Sequence, residues 1–96
     1  MKRTGRDRFV RNVAIAIGNS GDPALAGEAV RLLDDPSPLV RAMAVWACSR
    51  LLPAADMARL GVGRLDAEAD ADVCGEWARA LGNERSAVDA AGERAA

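Results

Sequence analysis

The stretch Asp35-Pro36-Ser37-Pro38-Leu39-Val40-Arg41-Ala42-Met43-Ala44-Val45-Trp46-Ala47 reads as a helix start followed by one densely apolar helix, and it recurs on either side of itself. Laying Val40-Arg41 over Val10-Arg11 also lays Ala44 over Ala14 and Ala47 over Ile17, a spacing of 30 residues. Laying Val40 over Val73 brings Ala47 over Ala80 and Ser37 over Asp70, a spacing of 33. A supersecondary unit returning at such a period cannot bury its apolar face alone and stacks on its neighbours, so the period predicts a short α-solenoid.

Composition agrees with an all-α class. Half of the 96 residues are apolar, mostly Ala, Leu and Val, and the aromatics are only Phe9, Trp46 and Trp77, which favours packing of small-residue helices over a β-sandwich. The length predicts one domain, residues 1–83, followed by a flexible tail, 84–96, rich in Ala, Gly, Glu, Arg and Asp. Cys48 and Cys74 stand apart, with no C-x-x-C pair and no histidine to complete a metal site. Free thiols, the lack of a signal peptide and the lack of a run of about 18 apolar residues predict a cytoplasmic protein without a membrane span.

Thr4-Gly5-Arg6-Asp7 fits a capping box, and the repeat register offers Asp7 as the alternative cap, so the first helix is expected to begin near one of them. Phe9, Val10, Val13, Ala16 and Ile17 are its expected inward face, with Arg8, Arg11 and Ile15 on another stripe. Gly18-Asn19-Ser20-Gly21 stops that helix, and Asp22-Pro23 starts the next, with Leu25, Ala29, Leu32 and Leu33 at helical spacing. Ser37-Pro38 starts a third helix that is apolar around most of its circumference and is therefore expected at the centre, covered on both flanks, until Pro53. A fourth helix over 54–69 is weakened by Gly61 and Gly63, and Asp70 caps a fifth through Val73, Trp77 and Leu81.

The formal charge of −1 hides an asymmetry. Lys2, Arg3, Arg6, Arg8 and Arg11 face only Asp7 in the opening segment, a local surplus of four positive charges. Guanidinium groups on and before one helix suit successive phosphates, while the alternative is a solvated charged face. Arg41 is expected to pair with an acidic group of an adjoining unit, for which Asp34 and Asp35 are available, and Cys74 ends any such ladder in the third unit. Trp46 and Trp77 could stack on bases, but their helical stripes favour core packing. Without histidine no nucleophile–base or metal-ligand set can be assembled, and no catalytic residue is identified.

The run Lys2-Arg3-Thr4-Gly5-Arg6-Asp7-Arg8-Phe9-Val10-Arg11-Asn12-Val13, with Ile15-Ala16-Ile17-Gly18-Asn19-Ser20-Gly21-Asp22, resembles the C-terminal domain of bacterial epoxyqueuosine reductase. The stretch Leu32 to Ala42 with Ala44-Val45-Trp46-Ala47 resembles the second HEAT-like unit of that family, and Glu76-Trp77 the third. The resemblance covers about residues 2–80, with Cys74 standing where an arginine is expected. It implies a short α-solenoid of HEAT-like helical hairpins, about five helices in a right-handed stack. It also implies a tRNA-facing accessory domain of a queuosine-modifying oxidoreductase. That family carries cobalamin and two [4Fe–4S] clusters on a catalytic region absent from these 96 residues, so no cofactor is expected in this chain.

The expected partners are a tRNA anticodon stem-loop, contacted through Lys2, Arg3, Arg6, Arg8 and Arg11, and a catalytic domain supplied in cis or in trans. The competing expectation is a protein-interaction adaptor that grips a peptide or pairs with a second copy as a homo-oligomer.

Overall fold

A computed structural model describes residues 3–82, with side chains from Gly5 onward, and those residues are all-α. The expected tail, the position of Lys2 and the side chain of Arg3 lie outside the described residues. In chain order come α1 (Arg3–Ser20), a 3-10 turn (Pro23–Leu25), α2 (Ala26–Leu32), α3 (Pro38–Leu51), α4 (Ala54–Gly61) and α5 (Arg64–Ala67). A last helix, α6, runs over 71–82. Among the described residues no helix is long and apolar enough to cross a membrane.

The start of α1 differs from expectation, because the chain is already helical at Arg3 and both proposed caps, Thr4 and Asp7, lie inside the helix. Its inward face differs too. Ala14, Ile17 and Gly18 are buried, whereas Phe9 is 64 % exposed and Val13 38 %. The correct face follows Val10, Ala14, Ile17 and Gly18, and the physical reason lies in the charged residues. Arg6, with Asp7 beside it, must point toward the loop before α3, where its partner Asp35 lies, and that rotates Phe9 and Val13 outward.

Turn chemistry accounts for the other joints. Gly21, at φ +66°, supplies the left-handed step after α1, and the Ser20 hydroxyl donates to the Ile17 carbonyl at 2.6 Å. Asp22 Oδ1 then accepts from the Ala24 N–H at 2.9 Å, which makes it the cap the sequence suggested, of a 3-10 turn that leads into α2. The fourth predicted helix is split. Gly63, at φ +79°, sits between α4 and α5 in a backbone conformation that only glycine adopts at low cost, so it is a joint and not a weak helix interior. Asp70 caps α6 as expected, with Oδ1 accepting from the N–H groups of Asp72 and Val73.

Helix α3 is the centre of the core. Val40, Ala44, Val45, Ala47 and Cys48 have no exposed surface, and they join Ile17, Ala29, Leu33, Met57, Val73 and Trp77 in one apolar cluster. Burial of this kind contributes about 25 cal/mol per Å2 of apolar surface and supplies most of the cohesion of a chain this small. Burial also pushes the Cys48 thiol up to about 11, so it is a neutral core side chain. Trp77, 2 % exposed, is a core residue and cannot stack on a base.

Close approach of α1 to α3 depends on Gly18, over which the Trp46 ring lies so tightly that a Cβ there would fall 2.4 Å from Trp46 Cζ3. At Gly61 the same added atom would meet Leu81 at 3.4 Å and Trp77 at 3.5 Å, distances that are close to ordinary contact. The two glycines therefore predict opposite outcomes for one substitution. Alanine has the better helix propensity by about 1 kcal/mol, but overpacking costs about 1–3 kcal/mol. Gly18→Ala should lower stability by up to about 2 kcal/mol and Gly61→Ala should raise it by up to about 1 kcal/mol, measured by urea unfolding followed by circular dichroism. Stabilisation by Gly18→Ala would refute the tight seam.

Candidate nucleic-acid interface and the inter-unit clasps

Two helices, α1 and α3, each hand a guanidinium to a carboxylate in the loop ahead of a following helix. Arg6 in α1 donates from Nη1 to Asp35 Oδ2 at 2.9 Å and from Nη2 to Asp35 Oδ1 at 2.6 Å. Arg41 in α3 donates from Nε to Glu68 Oε1 and from Nη2 to Glu68 Oε2, both at 2.9 Å. Both are the two-pronged planar geometry that makes arginine the preferred partner of a carboxylate. The two acceptors are set up alike, since Asp35 Oδ2 also accepts from the Ser37 N–H and Glu68 Oε2 from the Asp70 N–H. Ser37 holds the N-cap position of α3 as expected, but its hydroxyl makes no cap bond and Asp35 supplies the anchor instead.

Arg41 is the paired ladder residue that the sequence suggested, with a different carboxylate. Its partner is Glu68, while Asp35 and Pro36 offer it only their backbone carbonyls, at 2.9 and 3.0 Å from Nη1. The thiol of Cys74, 33 residues after Arg41 in the sequence, reaches the Glu68 carbonyl at 3.4 Å, six residues back, just as Arg41 reaches that of Asp35. Asp34, the other acidic candidate, accepts from Arg64 at 3.1–3.2 Å. These pairs line a cleft of ≈ 390 Å3 beside Trp77, and their mutual bonds leave it no uncommitted charge for a ligand.

Electrostatics follow the geometry. The Arg6 guanidinium, through its hydrogen bonds and against some desolvation, holds the Asp35 carboxyl below the usual carboxylate range, and the Ser37 N–H adds to the effect. Arg41 does the same for Glu68. Arg6 and Arg41 are raised in return and stay charged at any ordinary pH.

Of the five sequence-predicted phosphate ligands, Arg6, Arg8 and Arg11 have described side chains, and these three are not placed alike. Arg6 is committed to Asp35, with Asp7 at 3.1 Å from the same guanidinium. Arg8 is exposed, and Arg11, half-buried, donates only to the Asn12 amide oxygen. Of the nine arginines whose side chains are described, six form ion pairs with carboxylates, and Arg8, Arg11 and Arg50 do not. Arg8 and Arg11 are neighbours at the i, i+3 spacing on one side of α1, whereas Arg50 sits 5.7 Å from the centre of the half-buried Trp46 ring. Sequence reading missed Glu68 as an arginine acceptor, and it offered Asp35 to Arg41 where the structure gives it to Arg6. The available signal was that each stands two residues before a helix cap and that they share the 33-residue spacing of Ser37 and Asp70.

The clasps set the acid response. A carboxylate held low stabilises the fold above its unfolded value near pH 4, and that contribution is lost as pH falls through the folded value. Asp35→Asn with Glu68→Gln should therefore cost about 2–4 kcal/mol at pH 7, give a shallower loss of stability as pH falls below about 4, and converge toward the parent once the clasp carboxylates protonate. Urea midpoints across pH measure it, and parallel curves for parent and variant would show that the clasps do not couple to folding. Against family models, curated proteins and solved structures alike, the chain finds no match, and the likeness to epoxyqueuosine reductase rests on its sequence runs alone.

Proposed function

We propose that this chain is a tRNA-binding helical-repeat accessory domain of the kind that forms the C-terminal part of epoxyqueuosine reductase, with chemistry supplied by a separate catalytic region. The observation that carries this reading is the pair Arg8 and Arg11. They are adjacent cations on α1 without a carboxylate partner among the described residues, in a chain that neutralises most of its other arginines internally. Unpaired guanidinium groups on one side of a helix suit consecutive phosphates of an RNA backbone, a contact that positions without reading sequence. The resemblance of residues 2–13 to the family's opening run supports the same edge.

Arg6 is not among the proposed phosphate contacts. Its role is to hold Asp35, and reversing its charge would disrupt the fold whether or not RNA binds. In the same reading Lys2 and Arg3 extend the cationic edge in sequence. Cobalamin and iron–sulfur clusters would belong to the catalytic partner, as the resemblance implies.

The test is an electrophoretic titration of the chain with tRNA at several salt concentrations. Each phosphate contact contributes about 0.7–0.9 to the slope of log affinity against log salt. Arg8→Glu with Arg11→Glu should weaken binding at least tenfold and reduce the slope by about 1.5, while urea stability stays within about 0.5 kcal/mol of the parent. Affinity and slope unchanged in that variant would end the RNA reading.

A further inference from the structure

The repeat register places Phe9, Val13 and Ala16 of α1 in line with Leu39, Met43 and Trp46 of α3, and these in line with Asp72, Glu76 and Arg79 of α6. Accessibility is compatible with the three rows sharing an outer side, with Glu76 half-buried against Arg79. Phe9, Val13 and Leu39 are 64, 38 and 42 % exposed, Met43 and Trp46 are half-buried, and Asp72 and Arg79 are exposed. Two adjacent helices thus leave Phe9, Val13 and Leu39 as large apolar side chains uncovered among the described residues, and an uncovered patch spanning neighbouring elements marks an interaction site. Its borders are charged with opposite signs. Arg8 lies along the outer edge of α1, and beyond α3 lies Asp72, whose carboxylate forms no ion pair among the described residues.

We propose that this surface pairs two copies of the chain about a two-fold axis running through the seam between α1 and α3. An isologous contact requires a surface that complements itself, so that whatever residue i meets, its symmetry mate meets in return. The order of features across this face is cation, apolar row, apolar row, anion, and it meets that requirement. Rotation about the seam sets the Phe9 and Val13 row of one copy on the Leu39 and Met43 row of the other. The same rotation brings Arg8 to Asp72 of the second copy, twice per dimer. An axis through α3 would instead set Phe9 on the Asp72 and Glu76 row, an apolar side chain on carboxylates, which is unfavourable. Arg8 is also one of the proposed phosphate contacts, so the paired and RNA-bound forms exclude each other. The experiment below contains no RNA and is independent of that reading.

Sedimentation equilibrium of the full chain should show a concentration-dependent monomer–dimer equilibrium. Phe9→Glu, at a position that contributes little to the core, should give a monomer with unchanged circular dichroism. Arg8→Asp and Asp72→Arg should each weaken pairing by roughly 5–30-fold, since every reversal acts twice, and the two together should restore it to within about 3-fold of the parent. Asp72→Asn, which leaves the start of α6 neutral, should weaken pairing less and flatten its salt dependence, so a helix defect in Asp72→Arg does not obscure the result. A chain that stays monomeric up to about 0.5 mM overturns the proposal. So does a dimer that ignores Phe9→Glu or does not recover in the double reversal.

Discussion

Two guanidinium–carboxylate clasps, Arg6 on Asp35 and Arg41 on Glu68, set the geometry on which the rest of this fold depends. Both carboxylates are nearly buried, at 5 and 9 % side-chain exposure, and each also accepts the backbone N–H two residues on. One side chain therefore ties the preceding helix, the loop and the start of the next helix together. Ion pairs in open water contribute little, and buried ones are costly when incomplete. These are of the favourable kind, because the acceptor oxygens are satisfied by charge-assisted bonds from a planar donor and by the chain itself.

With the loops fixed, apolar packing has only one arrangement to complete. Helix α3 is lined by alanine, valine and Cys48 on its covered sides, small enough for neighbours to approach closely, and Gly18 lets the Trp46 ring lie on α1. The clasps determine the rotation of α1 about its own axis, and that rotation leaves Phe9 and Val13 facing outward. An apolar surface on the outside is therefore a consequence of the polar geometry of the loops, not a failure of the core to close.

The same reasoning explains what could be read from the residues beforehand. The all-α class, the central position of α3, the Asp22 and Asp70 caps, and the burial of Trp77 were legible because each depends on composition, local spacing or one unambiguous stripe. The orientation of α1 was not. Two stripes, Val10-Ala14-Ile17 and Phe9-Val13-Ala16, have similar apolar content, and the choice between them depends on a contact 29 residues away in sequence. The break at Gly63 was legible as a weak point but not as a joint, because a glycine's sign of φ is set by the path that the chain must take on either side.

The character of the candidate site comes from an irregularity in the ladder. Arg11 is the register mate of Arg41, yet Asp35, the acid that lies ahead of it, is taken by Arg6, one and a half helical turns earlier. Helix α1 therefore has two arginines more, among its described side chains, than its forward clasp requires. Arg11 is left with the Asn12 amide, and Arg8 beside it has no acid in the described chain at all. In a protein whose other charges are largely cancelled, that surplus is concentrated on one helix edge. A weak overall charge of −1 is thus compatible with a locally cationic edge, because the sign that an approaching polyanion meets is decided by which arginines the fold has already used.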